Sequence, residues 1–221
     1  MVGRSLQGRP IRVTVVGDSR AARPLLVVGA IHGDESAGLR VVRALGGIRP
    51  PAQRAIWMLA DLNPDGVAAG TRQNARGVDL NRNFPLGWRP IGHRGDQQYA
   101  GARALSEPES RAAYRLILRI RPHIAIWFHQ PLGVVDESGG ASAVERRFAR
   151  LAALPFRRLT RYPGSATGWE NHRIPGSTAF VVELPAGRLS ASRAARLAGD
   201  VRRLADSRVG AGASRRPDAR C

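Results

Sequence analysis

The chain has 221 residues, a net charge of +18 and a sequence pI of about 11.8, a length that suits one domain with a sizeable core. All 35 basic residues are Arg, because Lys does not occur, and they are scattered rather than striped while aromatics make up only 5%. The charge therefore reads as compositional bias, and no nucleic-acid partner is expected. The single cysteine, Cys221, allows no internal disulfide, and no apolar run is long enough to span a membrane. The opening MVGRSLQGRP lacks an apolar signal core, so the chain as written reads as cytoplasmic; a signal peptide upstream would make it an exported protein.

Ile11–Val16 alternates and is rich in β-branched residues, which predicts a strand. Pro24–Gly29 is a continuous apolar run and predicts a buried second strand, followed by a helix over Glu35–Leu45 that stops at Gly46-Gly47. Ala55–Leu59 predicts a third strand. From Asp61 to about Tyr99 no period is sustained, and a loop that long in a compact domain is usually functional. Ser106-Glu107-Pro108-Glu109 has the form of a capping box and opens a helix to Ile120. Arg111, Arg115 and Arg119 fall on the solvated face of that helix. Ile124–Phe128 predicts a strand ending at His129, Ala143–Leu154 a helix, and Leu159–Tyr162 a short strand. Pro163–Gly176 reads as a Gly/Pro-rich loop, Thr178–Val182 as a strand ending at Glu183, and Ala191–Leu204 as a last helix. Strands alternate with helices, so the fold class is α/β with a largely parallel sheet covered on both faces. Residues 1–205 are expected to form one catalytic domain, and 206–221 a disordered Arg-rich tail.

Three chemically apt residues share one address. His32 follows one buried strand, His129 ends another and Glu183 ends a third. If these strands are parallel neighbours, their carboxyl ends meet in one crevice, where open α/β sheets place ligands. His32-x-x-Glu35 offers an imidazole and a carboxylate to one Zn²⁺, and His129 completes two His and one Glu, the three-ligand pattern of a catalytic site. Glu183, in the apolar run AFVVELP, is desolvated there and is the candidate general base. The loop GTRQNARGVDLNRNFP (Gly70–Pro85) is dense in directed donors. Arg82 suits a bidentate carboxylate grip, Arg72 an oxyanion, and Asp79 the orientation of a metal-binding imidazole. The other reading of this loop is a turn-rich segment whose Asn and Asp satisfy their own backbone.

Taken in order, HGDE, NPDG (Asn63–Gly66), RQNARGVDLNRNFP, SEPES, FHQP and VELP resemble the zinc carboxypeptidase superfamily, and within it the murein peptide amidase branch. The resemblance runs from about Ser5 to Arg188. It implies a three-layer sandwich with a mostly parallel mixed sheet, the phosphorylase/hydrolase-like fold. It implies one zinc ion on His32, Glu35 and His129, Glu183 as catalytic base, and Arg72 as the catalytic residue that stabilises the oxyanion. It also implies Asn81 and Arg82 on the substrate's terminal carboxylate, Asp79 behind the first zinc histidine, and Tyr162 as a substrate-binding tyrosine on a mobile loop. The implied activity is hydrolysis of an amide next to a free carboxylate in a cell-wall peptide, between γ-D-Glu and a diamino acid. Gln130 departs from the branch, where the pair resembles His-Asp. Trp169, Glu170, Asn171 and His172 either line the pocket for the released residue or pack as an ordinary loop. Two other readings are an N-acyl amino acid deacylase resembling succinylglutamate desuccinylase or aspartoacylase, and a non-catalytic protein binding anionic glycans or nucleic acid.

Overall fold

A computed structural model describes residues 1–49 and 54–206. The elements in chain order are β1 (Gly3–Arg4), β2 (Pro10–Ile11), β3 (Val13–Gly17), β4 (Leu25–Ala30), α1 (Ala37–Leu45), β5 (Ala55–Asp61) and α2 (Pro64–Ala69). After a 3₁₀ turn at Leu80–Arg82 come α3 (Pro108–Ile120), β6 (Ile124–His129), β7 (Leu132–Asp136), α4 (Ser142–Ala152), β8 (Phe156–Arg157), α5 (Ala166–Arg173), β9 (Thr178–Pro185) and α6 (Ala191–Asp206). β1 and β2 form a small ribbon; the other strands make one sheet in the order β3-β5-β4-β6-β9-β7-β8.

The four central strands, β5, β4, β6 and β9, are mutually parallel, and antiparallel pairing enters where β3 joins β5 and β7 joins β9. Alternation within these apolar strands feeds two cores. Leu25, Val27, Ile126, Phe128, Phe180 and Val182 face a core shared with α1, α4 and α6. Leu26, Val28, Ala125, Trp127 and Ala179 face a second core shared with α3 and α5. Apolar side chains on both faces are what a parallel sheet covered by helices requires. The mixed, mostly parallel three-layer sandwich is the expected one. No helix among the described residues is long and apolar enough to cross a membrane.

Several elements differ from the sequence reading. The long loop contains α2, with Pro64 in the first turn and the Asn63 side chain accepting from Gly66 N. The helix read from Ser106 is capped instead by Glu107, with Pro108 at its start, because Ser106 Oγ donates to the Glu107 carboxylate and accepts from Asn83. Glu109 reaches Leu6 N and Asn74 rather than back to the cap. Arg115 and Arg119 are exposed as expected, whereas Arg111 is half-buried, its Nη1 donating to the carbonyls of Leu105 and Ser106. The strand read at Leu159–Tyr162 lies instead at Phe156–Arg157, and β7 was not expected. The segment Pro163–Gly176 is not a loop but carries α5. Asp206 is the last residue of α6; the remainder of the expected tail, with Cys221, lies outside the described residues.

Candidate active site

β4 delivers His32 just past its carboxyl end, and α1 begins at Ala37 with Ser36 as its N-cap, so Glu35 belongs to the connection. The helix can start so near the strand because Gly38 abuts it: a Cβ there would stand 2.0 Å from Gly29 O and 2.6 Å from Phe128 Cβ. β6 ends at His129, and the parallel register pairs His129 with Glu183 on β9. The strand ends therefore meet as the sequence reading expected.

His32 and His129 are 1% and 4% exposed, and both Nδ1 atoms face Glu35. His32 Nδ1 is 2.9 Å from Oε1 and His129 Nδ1 is 2.8 Å from Oε2. Donor atoms of the three residues all lie within 4.8 Å of one another. The other nitrogen of His32, Nε2, is 3.0 Å from Asp79 Oδ1. A neutral imidazole carries one N–H and one in-plane lone pair, so with carboxylates on both sides the lone pair faces an oxygen unless a cation intervenes. The tautomer with its proton on Nε2, toward Asp79, is the one whose Nδ1 lone pair is available to a metal. The donor set thus fits a divalent metal, and zinc accepts two imidazoles and a carboxylate.

Electrostatics of the cluster follow the same logic. Burial opposes the charge on Glu35, yet hydrogen bonds from His129 and His32 hold its carboxyl well below the usual range. Burial likewise opposes ionisation of Asp79, and His32 and Arg72 overcome it. Burial lowers the pKa of His32, but Asp79 and Glu35 leave it raised overall. Arg72 joins the two carboxylates, donating from Nε and Nη2 to Asp79 Oδ2 and from Nη1 to Glu35 Oε1. Gln130 staples the same corner: its N donates to Glu35 Oε2, its Oε1 accepts from Ala37 N, and its Nε2 donates to Pro185 O and Gly187 O.

Glu183 is half-buried, and desolvation raises its pKa. Its Oε2 accepts a long contact, 3.5 Å, from Leu132 N. Lining the same cleft, Arg82 is 5% exposed, donates from Nη1 to Asn81 O, and keeps a buried Nε without a partner. Asn81 Oδ1 accepts from Ala166 N, which turns its amide NH₂ outward. The Tyr162 ring lies 4.0 Å beneath the Arg82 guanidinium. Arg82 and Asn81 are set by Asp79, which caps the 3₁₀ turn through Asn81 N. Asn83, bonded to Ala100 O, Arg103 O and Ser106 Oγ, anchors the turn's far end. The loop is thus both a self-satisfying turn and a platform for donors.

One open cleft of roughly 380 Å³ gathers His32, Glu35, His129, Glu183, Arg72 and Arg82, together with Asn81 and Tyr162. The segment 169–172 does not line it. α5 turns Trp169 into the second core against Phe84 and Tyr114, and Glu170 is fully buried beside Trp127 Nε1 and Ser177 Oγ. Asn171 is tied to Ala179 and Ser138, and His172 is exposed on the outer face. Ser165 and Thr167 line the cleft instead, joined by Asp136 and Arg161, which the sequence reading did not single out.

Comparison with known proteins agrees with this geometry. Residues 52–134 match the zinc carboxypeptidase family. Murein peptide amidase A of Escherichia coli is 31% identical over 180 residues, covering 76% of this chain and 74% of that protein. Murein peptide amidase A of Vibrio campbellii is 32% identical over 197 residues, covering 83% and 77%. The crystal structure of murein-tripeptide amidase MpaA from Escherichia coli superimposes with a TM-score of 0.75 at 28% identity, over 92% of this chain and 90% of that one. Carboxypeptidase A from Helicoverpa armigera shares the fold, with a TM-score of 0.76 at 19% identity over 95% of this chain and 66% of its own. The chain belongs to the zinc carboxypeptidase family of zinc-dependent hydrolases, within its murein peptide amidase branch.

Proposed function

We propose that this protein hydrolyses a cell-wall peptide at the amide bond preceding a carboxylate-bearing residue, between γ-D-Glu and a diamino acid. The reading draws on its murein peptide amidase relatives. One observation carries it: the His32–Glu35–His129 set, the Glu183 carboxylate and the donors of Arg82 open onto a single cleft. His32, Glu35 and His129 would hold one Zn²⁺, which when bound supplies a Lewis acid for the scissile carbonyl and an acidified water.

The rest is the work of the chain's own groups. Arg82 and the outward amide of Asn81 grip the free carboxylate, which places the preceding amide beside Glu183. Glu183 takes a proton from the attacking water, and its desolvated carboxylate is a stronger base than one in solvent. The C–N bond breaks as Glu183 returns that proton to the leaving amine. Arg72, held by Asp79 and Glu35, has N–H groups to donate to the carbonyl oxygen as its charge grows. Asp79 fixes the His32 tautomer. Tyr162, exposed against the Arg82 guanidinium, closes on the bound residue.

The test is release of the C-terminal residue from L-Ala-γ-D-Glu-diaminopimelate, with and without a chelator, beside a panel of N-acyl amino acids. Chelator-sensitive cleavage of the tripeptide is expected. Cleavage confined to the acyl amino acids would assign the protein to deacylase chemistry instead.

A further inference from the structure

The cleft continues past Glu183 to an ion pair that the mechanism above does not use. Asp136 closes β7, whose antiparallel register sets Val134 against Glu183 and Val135 against Val182. Asp136 therefore shares a sheet face with Val134 and Glu183, one step deeper, and it is 3% exposed. Its carboxylate accepts from Leu159 N at 2.8 Å, Ser138 Oγ at 2.6 Å and Arg161 Nη1 at 2.7 Å. Arg161 is the opposite case. Its side chain is 41% exposed, it lines the cleft, and that single bond is its only partner among the described residues. The buried acid is nearly saturated, while the guanidinium it aims still has most of its five N–H donors free.

The chain also fixes which side of the cut this cation serves. Arg161 precedes Tyr162, whose ring lies under Arg82. Gly164, at φ +72°, sits so close to the Arg82 backbone that a Cβ would stand 2.1 Å from Arg82 O. Phe84 N donates to Gly164 O, and Gly164 N donates to Leu86 O. The Arg161 segment is thus docked on the carboxylate clamp, not on the metal cluster. A cationic side chain entering here would have to displace Arg161 from Asp136, whereas a carboxylate meets free, charged donors.

We propose that Arg161, aimed by buried Asp136, is a specificity-determining residue that reads a second carboxylate at the side-chain end of the released residue. The inference rests on the proposed function, in which Arg82 takes the first carboxylate. The released residue is then a dicarboxylate, and the Asp136–Arg161 pair separates it from a plain basic or aliphatic residue of equal length.

The experiment uses the zinc-loaded full chain and four tripeptides, L-Ala-γ-D-Glu-X, with X as diaminopimelate, 2-aminopimelate, lysine or norleucine. The first two carry the remote carboxylate and the last two lack it. The wild type is expected to favour the first pair in kcat/KM by about tenfold or more, the factor of one charge-assisted hydrogen bond. Arg161→Gln should raise KM for diaminopimelate and 2-aminopimelate by that factor and leave the lysine and norleucine peptides unchanged, which also shows that the variant is folded. Arg161→Lys should recover part of the preference. Equal loss on all four peptides, or a wild type that cleaves lysine and diaminopimelate peptides alike, overturns the inference and leaves the proposed function standing. Absence of chelator-sensitive cleavage of every tripeptide overturns both.

Discussion

On one wall of the cleft, each carboxylate oxygen of Glu35 and Asp79 meets two partners from His32, His129, Arg72 and nearby backbone. On the other wall, Arg82 keeps a buried Nε with no partner and Arg161 uses one N–H of its fork. The first wall is buried and closed around the place of a cation; its two histidines stand at strand ends, and Asp79 and Arg72 of the long loop are locked to them and to Glu35 by hydrogen bonds. The second stands on loops and holds donors in reserve. Leaving a buried donor unpaired costs roughly 1–3 kcal/mol, so the orphaned Arg82 Nε at the cleft points to a ligand with acceptors. The difference separates groups already paired with one another, around the place of a metal, from groups whose donors remain for a substrate.

The largest effect is expected where the closed wall is opened. His129→Ala removes one of the two imidazoles facing Glu35 and should abolish both metal binding and turnover, read by elemental analysis and the tripeptide assay. Metal retained at full stoichiometry would take His129 out of the ligand set. On the open wall, Arg82→Ala should raise KM about 10–100-fold for peptides with a free terminal carboxylate while metal content stays the same. Equal losses on C-terminally amidated peptides would make Arg82 a structural residue.

A third effect, on stability and not on turnover, is expected outside the cleft, at Glu170. Burial pushes its carboxyl up from an ordinary 4.5 to about 8. The fold therefore binds a proton that the unfolded chain releases, so this contribution to stability is complete below about 4.5 and is lost as pH rises toward about 8. Glu170→Gln, which imitates the protonated acid, should flatten that decline by up to about 1 kcal/mol per pH unit in denaturant titrations. A residual slope is expected from Glu145, which burial raises to about 7. An unchanged slope would mean that Glu170 is ionised in the fold.

The place of the metal cluster was legible in the sequence, and Asn81 and Arg82 stood out in a donor-rich loop; Asp136 and Arg161 were not legible, for a physical reason. Parallel strands end at one edge of the sheet, so His32, His129 and Glu183 could be brought together from three apolar runs alone. Asp136 and Arg161 depend on β7, a short antiparallel strand between Pro131 and the glycines at 139 and 140, whose start is exposed and whose pattern is weak. α5 was hidden by Pro163, Gly164, Gly168, Pro175 and Gly176; it is held by tertiary packing of Trp169 on Tyr114 and Phe84, which local propensity does not report. That packing is also why Glu170 is buried rather than facing the cleft.

The most direct measurement of the account is made on Glu183→Gln: zinc content and tripeptide turnover in the same sample. One zinc per chain is expected, as in the wild type, with turnover lower by about 10²–10⁴-fold, the range of a lost general base. Turnover close to that of the wild type, with zinc in place, would contradict the assignment of Glu183 and with it the chemistry proposed for the cleft.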